Sequence, residues 1–461
     1  MKRRDFLRKV ITTGSGAVPL VGGGLPFLSR VANADVLATK DRYLIHVHIA
    51  GGGIDQVSSF DARDPSVFTE ARVSETRINF GFDYYTFPFS VDQYDFPNHT
   101  LGTPTSWLGS IMGGLTNHLD RMAIIRGGTN ETVSHMSGLG RSLFGFPEFS
   151  ITNGNFVSDF GSTFGVLFAS VFGGQEPLPC LYSGIQGINF AEPAYANPIR
   201  VGSTYAAYKM LEAKERYGNE EQRALINQFL EEQHDDRDTE FLRKAATGYR
   251  KTESLISSNL ASKFRGSTMS SEVSSLFASV PNGANIGTPF DHWELATLAI
   301  ASGSARSITA LSGSNWYDCH STLVASNSYA QAELNAMARC IEYLDTVEHP
   351  DGGSYGERTF ILLSGDFYRT PYVNANPGRD HWPSAGWILL GPDFVPGVYG
   401  ASTDIGQSPS YLNLETGGLS DVVNGSLITP ANIFRTILYL TGVETDFFRY
   451  RVDPLTCMVG S

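Results

Sequence analysis

The stretch that most constrains the fold runs from Thr359 to His381, TFILLSGDFYRTPYVNANPGRDH. Thr359 to Leu363 is a continuous apolar run bounded by turn residues, the pattern of a strand buried on both faces of a parallel sheet. Asp366 and Arg369 fall where that strand ends, and a loop rich in Pro, Asn and Gly leads to Asp380-His381. Ligands in open α/β folds bind beyond the carboxyl ends of the strands. The stretch therefore predicts a site as well as a strand. An Asp-capped turn beside a hydrogen-bonded surface histidine is the plainer account of the same residues.

The pattern recurs along the chain. Tyr43 to Ala50 (YLIHVHIA) is expected to be the first strand, and it runs into Gly51-Gly52-Gly53-Ile54-Asp55. His46 and His48 are two apart and share one face of it. They are either metal ligands or, as is commoner, buried neutral imidazoles with hydrogen-bond partners. Asp55 follows a glycine turn at the strand end, where backbone can approach a ligand closely. Residues 60–104 lack periodicity and predict an ordered loop or small subdomain.

Ser106 to Leu119 predicts a helix and Met122 to Ile125 a short strand. A glycine turn then leads to Ser134-His135 and a helical run towards Phe144. Strand, glycine turn, Ser, helix suits a nucleophile, because helix N-terminal amides favour an alkoxide or bound anion. Ser134 acting only as the helix cap is the alternative. Further on, His292 to Ser302 predicts a helix and Ser307 to Leu311 a strand ending in Gly313-Ser-Asn-Trp316-Tyr317-Asp318-Cys319-His320. A helix from Ala330 to Val347 then leads to the strand at Thr359. This βαβ unit favours a parallel sheet. A strand at Trp387 to Leu390 and a capped helix opening at Thr429-Pro430 complete the pattern. There is no internal repeat, no G-x-G-x-x-G and no P-loop.

Residues 204–264 are charged, with apolar positions at helical spacing (Leu225, Ile226, Phe229; Phe241, Leu242, Ala245) and Gly218 between. They predict a helical lid, followed by a mobile Ser/Gly/Asn-rich connector from Ser267 to Asn285. Together, residues 203–286 form an insertion in a domain expected to span 35–461.

The N-terminus predicts export. Arg3-Arg4-Asp5-Phe6-Leu7-Arg8-Lys9 has the form of a twin-arginine signal, which implies the twin-arginine translocase as partner and a periplasmic destination. A weakly apolar segment from Ile11 to Leu28 follows, and Ala32-Asn33-Ala34 has the form of a cleavage site, giving a signal peptide of residues 1–34. No later run approaches the ~20 apolar residues of a membrane span. Removing residues 1–34 takes away six positive side chains and one negative, so the formal net charge falls from −13 to −18. Such a chain repels phosphate backbones and anionic lipid, which argues against nucleic acid or a membrane surface as partner. The wide spacing of Cys180, Cys319, Cys340 and Cys457 excludes a zinc ribbon or disulfide scaffold. Export makes a disulfide possible, and Cys340, in a helical run, is expected to be buried.

Four strand ends thus carry ligand-type groups: Asp55; Ser134-His135; Asp318 and His320; and Asp366, with Asp380-His381 beyond. Carboxylates and imidazoles on one rim are what a metal-assisted phosphoryl- or sulfuryl-transfer site requires. The chain resembles the exported bacterial domain-of-unknown-function family 1501, which is similar to the alkaline phosphatase/sulfatase superfamily. Gly-Gly-x-Asp (Gly52 to Asp55), Ser134-His135, Tyr317-Asp-x-His320, Gly365-Asp-Phe-x-Arg-Thr-Pro371 and Asp380-His381 carry the resemblance, in order.

The resemblance implies an alkaline-phosphatase-like three-layer α/β sandwich. It implies Asp318, His320 and His381 around one ion, with Asp380 beside them, and Asp55 with Asp366 around a second. Ser134 would be the nucleophile, with His135 beside it in the catalytic group and Arg369 as an anion binder. The implied cofactor is a divalent metal, zinc first and manganese or calcium next, as one ion or two. The implied substrate is a small-molecule or glycan phosphate or sulfate ester. Phe367 departs from the superfamily, where a histidine follows the second-site aspartate. Asp318 and His320 are two apart rather than four. A catalytically inactive relative acting in periplasmic binding or assembly is therefore the competing expectation.

Overall fold

In a computed structural model, the chain is described over residues 41–81, 89–147, 149–152, 155–158, 161–212, 259–280, 290–313, 317–321, 323–443 and 452–459, with isolated positions at 221, 224, 225 and 228. The signal segment, Trp316, Gly218 and most of the charged stretch between residues 213 and 258 lie outside these residues. So does the lid expectation that rests on Ile226, Phe229, Phe241, Leu242 and Ala245. Among the described residues no helix is long and apolar enough to cross a membrane.

Eight strands form the central sheet: β1 (Tyr43–Ile49), β2 (Met122–Gly128), β3 (Cys180–Ser183), β4 (Ile199–Arg200), β5 (Ser307–Ser312), β6 (Thr359–Gly365), β7 (Ala385–Leu390) and β8 (Gly397–Tyr399). Across the sheet they lie in the order β8-β2-β7-β6-β1-β5-β3-β4. Every neighbouring pair is parallel except the two made by β7, which runs against both β6 and β2. The molecule is thus a mixed α/β fold around a large, mostly parallel sheet. The first strand sits near the middle, pairing Tyr43 with Thr359 on one side and Leu44 with Ser307 on the other. The strands that flank the βαβ helix are parallel, as expected, but β1 lies between them.

The continuous apolar runs are explained by burial on both faces. Ile45, Val47, Ile361 and Leu363 join one core with Trp293, Leu298, Met337 and Ile341 of two helices, Asp291–Ala301 and Leu323–Thr346. Leu44, Phe360, Leu362 and Leu389 join a second core with Phe164 and Phe168 of the helix Phe164–Phe172 and Phe434 and Ile437 of the helix Pro430–Leu440. Each such side chain is worth roughly 1.5–3 kcal/mol when removed from water. That is why β1 and β6 carry no polar alternation outside their histidines and Ser364.

Two segments depart from expectation. Ser106 to Leu119 is not a helix: Ser106–Gly109 is a strand paired with Val91–Tyr94, and a 3-10 segment, Ser110–Arg121, follows. Gly113 breaks it at φ 53°, ψ −133°, a conformation disallowed to other residues, and a Cβ there would meet Asn335 Oδ1 at 2.3 Å. The expected connector after Ser267 contains the helix Thr268–Ala278. Its start is a capping box, in which Ser267 Oγ accepts from Ser270 N–H and Ser270 Oγ accepts from Ser267 N–H. The four thiols are free, and Cys340 is buried.

Candidate metal centre

Three loops at the carboxyl ends of β2, β5 and β6 bring histidines to one carboxylate. His135 opens the helix His135–Phe144. Asp318 and His320 follow β5. His381 lies in a two-residue ladder with Arg369, beyond β6. Around Asp318 Oδ1, His320 Nε2 stands at 3.2 Å, His135 Nε2 at 3.6 Å and His381 Nε2 at 3.7 Å. His320 Nε2 and His381 Nε2 are 3.1 Å apart. The ligand atoms of His135, Asp318 and His381 all lie within 4.8 Å of one another, a group able to hold a metal ion.

The outer nitrogen of each ring is engaged. His135 Nδ1 is 2.5 Å from Asp366 Oδ2, His320 Nδ1 is 2.8 Å from Asp380 Oδ1, and His381 Nδ1 is 2.8 Å from the Val133 carbonyl. All three partners only accept, so each ring donates its proton from Nδ1 and, when neutral, turns a lone pair inward from Nε2. Two lone pairs facing each other at 3.1 Å beside a carboxylate repel unless a shared proton or a metal ion lies between them. His135 Nε2 is buried with no hydrogen-bond partner. Zinc–nitrogen arms of about 2.0–2.1 Å in a tetrahedron put ligand atoms roughly 3.3–3.4 Å apart, the middle of the spacings seen here. Imidazoles held from behind by carboxylates and a carbonyl are the usual outer shell of a metal centre.

Charges follow the same geometry. Burial works against the Asp318 carboxylate, but Arg369 and the neighbouring imidazoles hold its pKa below the usual range. The His320 hydrogen bond does the same for Asp380. Burial opposes ionisation of Asp366 too, yet His135 and His48 hold it far below an ordinary carboxyl. Burial, with the Arg369 charge, pushes the His381 pKa down against the Val133 hydrogen bond, so its lone pair is available at neutral pH. The side chains of Asp318, His320 and His135 are 39%, 46% and 33% exposed, so the centre is open to water. Closed, four-ligand structural zinc sites lack such access.

The glycine turn after β1 builds the floor. Gly51 N–H and Gly52 N–H donate to Asp366 Oδ2 at 3.2 and 3.1 Å. Gly52 has φ +100°, and a Cβ there would lie 2.2 Å from Arg369 Nη2. Only glycine lets the turn lie on that guanidinium. Arg369 is fully buried and donates to the carbonyls of Gly51 and Tyr317 and to Asp318 Oδ1. It orients the carboxylate through Nη2, while its buried Nε has no hydrogen-bond partner.

The remaining expected site residues are placed differently. Asp55 is wholly buried and taken up by Arg379 Nε at 3.1 Å, by the Val57 amide and by the Ser58 hydroxyl. Asp366 and Asp380 stand behind His135 and His320. The second pair, Asp55 with Asp366, is thus taken up by protein groups. Ser134 is exposed beside His135, and its side chain makes no capping bond.

Three further residues shape the surroundings, of which only Asn374 had no sequence signal. Phe367, where the superfamily has a histidine, packs its ring 4.9 Å from that of His135 and 4.4 Å from that of His381. His48 reaches Asp366 Oδ1 at 3.3 Å. Its Nδ1 and the Nε2 of His46 share Ser364 Oγ at 3.1 and 2.9 Å, and burial lowers the His46 pKa to about 3. The two are buried imidazoles, the commoner of the alternatives. Asn374 bridges the His320 carbonyl and Asp380 Oδ1, tying two ligand loops together.

The family model described as a protein of unknown function, DUF1501, matches residues 178–452, more than half of the chain. No curated protein matches. The chain belongs to the DUF1501 family. The matched span holds Asp318, His320, Asp366, Asp380 and His381, whereas Asp55, Ser134 and His135 precede it.

Proposed function

We propose that this DUF1501 protein is an exported, metal-dependent hydrolase of phosphate or sulfate esters, built on an alkaline-phosphatase-like sandwich and working with one ion. The observation that carries this reading is the convergence of three imidazole Nε2 atoms on Asp318 Oδ1, each ring anchored through Nδ1. His135, His381 and Asp318, whose ligand atoms lie within 4.8 Å of one another, would hold the ion, with His320 beside them. Imidazole nitrogens beside a carboxylate oxygen favour zinc, while calcium prefers an all-oxygen shell. Bound there, a divalent ion supplies Lewis acidity and a hydroxide source at neutral pH.

The protein's own groups orient and admit. Asp366, Asp380 and the Val133 carbonyl fix the three rings, Arg369 fixes the carboxylate, and the half-exposed ligands leave the centre reachable by substrate. Ser134, exposed at the start of the helix, is the candidate nucleophile. The twin-arginine pattern supports export with the fold already formed.

A second reading, a metal-holding but non-hydrolytic relative, is favoured by one observation. Asp55 and Arg369, which a two-ion enzyme would turn on an ion and an anion, are engaged inside the protein. Elemental analysis of the folded protein purified without chelators is the first test, followed by assay with p-nitrophenyl phosphate and p-nitrophenyl sulfate. Near-stoichiometric zinc with turnover of either ester is expected. A folded protein without metal would overturn both readings, and metal without turnover of any ester would select the second.

A further inference from the structure

Outside the metal centre, the described residues enclose a cleft of about 560 Å³ between the hairpin of strands Val91–Tyr94 and Ser106–Gly109 and the loops that follow β8. The charged groups on its wall are balanced and already paired. Arg63 donates to Asp61 Oδ1 at 2.6 Å, to Asp404 Oδ1 at 3.1 Å and to the Ser402 carbonyl. Arg126 donates to the carbonyls of Phe60 and Trp107 and lies 3.6 Å from Asp61. Two arginines against two aspartates leave no net charge to attract an ionic ligand.

What the cleft offers instead is neutral. Gln93, Thr103, Thr105 and Ser410 line it with amides and hydroxyls. Ser106 also lines it, though its Oγ is buried beneath the wall. Trp107 lines the same wall while packing against the small core of Val57, Ile78, Phe80 and Val91, so its ring is held before any ligand arrives. Leu101 and Leu419, both exposed, add apolar edges.

We propose that this cleft binds a neutral saccharide. A sugar ring matches the wall in its hydroxyls for the Gln93 amide and the threonine and serine hydroxyls, its C–H faces for Trp107 and the leucines, and its lack of charge. The proposal does not depend on the metal centre or on hydrolysis.

The test is calorimetric and fluorescence titration of the whole protein with maltose, cellobiose and N,N′-diacetylchitobiose. At least one is expected to bind with Kd near or below about 1 mM. Trp107→Ala and Gln93→Ala should each weaken it about tenfold. Gln93 is exposed on its strand, so its variant keeps the test valid where Trp107→Ala fails to fold, as judged by circular dichroism. The proposal is overturned if none of the three sugars binds at about ten times that concentration, or if binding is unchanged in the folded Gln93→Ala protein.

Discussion

At the carboxyl rim of the sheet, His135, Asp318 and His381 gather within 4.8 Å; at the amino rim, Asp41, His349 and Asp351 do the same. Both clusters mix histidine with aspartate at the same spacing, two histidines with one aspartate against one with two, and their hydrogen bonds set them further apart. His349 Nδ1 accepts from the Asp351 amide at 3.1 Å, so its proton is on Nε2, which meets the Tyr43 hydroxyl at 2.9 Å. Both nitrogens are used, and no lone pair is left to bind an ion. At the carboxyl rim each ring spends its proton outward and keeps its lone pair inward. Proximity of ligand-type residues is therefore a poor guide; the direction in which protons point decides which cluster is a centre.

The comparison breaks first at the ligands. Asp318→Ala combined with His381→Ala should take metal content from near-stoichiometric to background, read by elemental analysis, while circular dichroism stays unchanged. Retained metal in that protein would move the centre elsewhere. Arg379→Leu tests the saturated neighbour. It leaves Asp55 buried and unpaired, and should lower unfolding free energy in urea by about 3–5 kcal/mol. Asp380→Ala removes only the support behind His320 and should weaken metal affinity by about 10–100-fold, measured by competition with a chelator. The smallest effect on metal belongs to the amino rim. His349→Ala should leave metal content unchanged and lower stability by about 1–2 kcal/mol through the stranded Tyr43 hydroxyl.

Much of this arrangement was legible in the chain itself. The strands β1, β5 and β6 announce themselves as apolar runs closed by turn residues, and Asp318, His320 and His381 stand in short local patterns at strand ends. What was hidden is tertiary. That Arg379 would neutralise Asp55, 324 positions away, has no local signature. Nor does the fact that His135, rather than Asp55 or Asp366, would face Asp318. The segment after Ser106 misled because Ile111, Met112 and Leu115 mimic helical spacing, whereas Gly113 packs against Asn335 and breaks the turn. The serines after Ser267 resemble a linker until two of them are seen to cap one another.

The position of β1 also governs when the fold can exist. Its partners are β5 and β6, so YLIHVHI has no neighbour to pair with until residues 307–365 have been made. At roughly 5–20 residues per second, synthesis leaves this strand waiting for about 15 s to a minute. During that time it is a long, apolar, unpaired segment, the kind that seeks edges on other chains. Closure of the sheet is then a single late event with very distant contacts, intrinsically slow. A chain truncated before β6 would leave β1 without one of its two neighbours, and its expected fate is aggregation rather than a smaller stable domain.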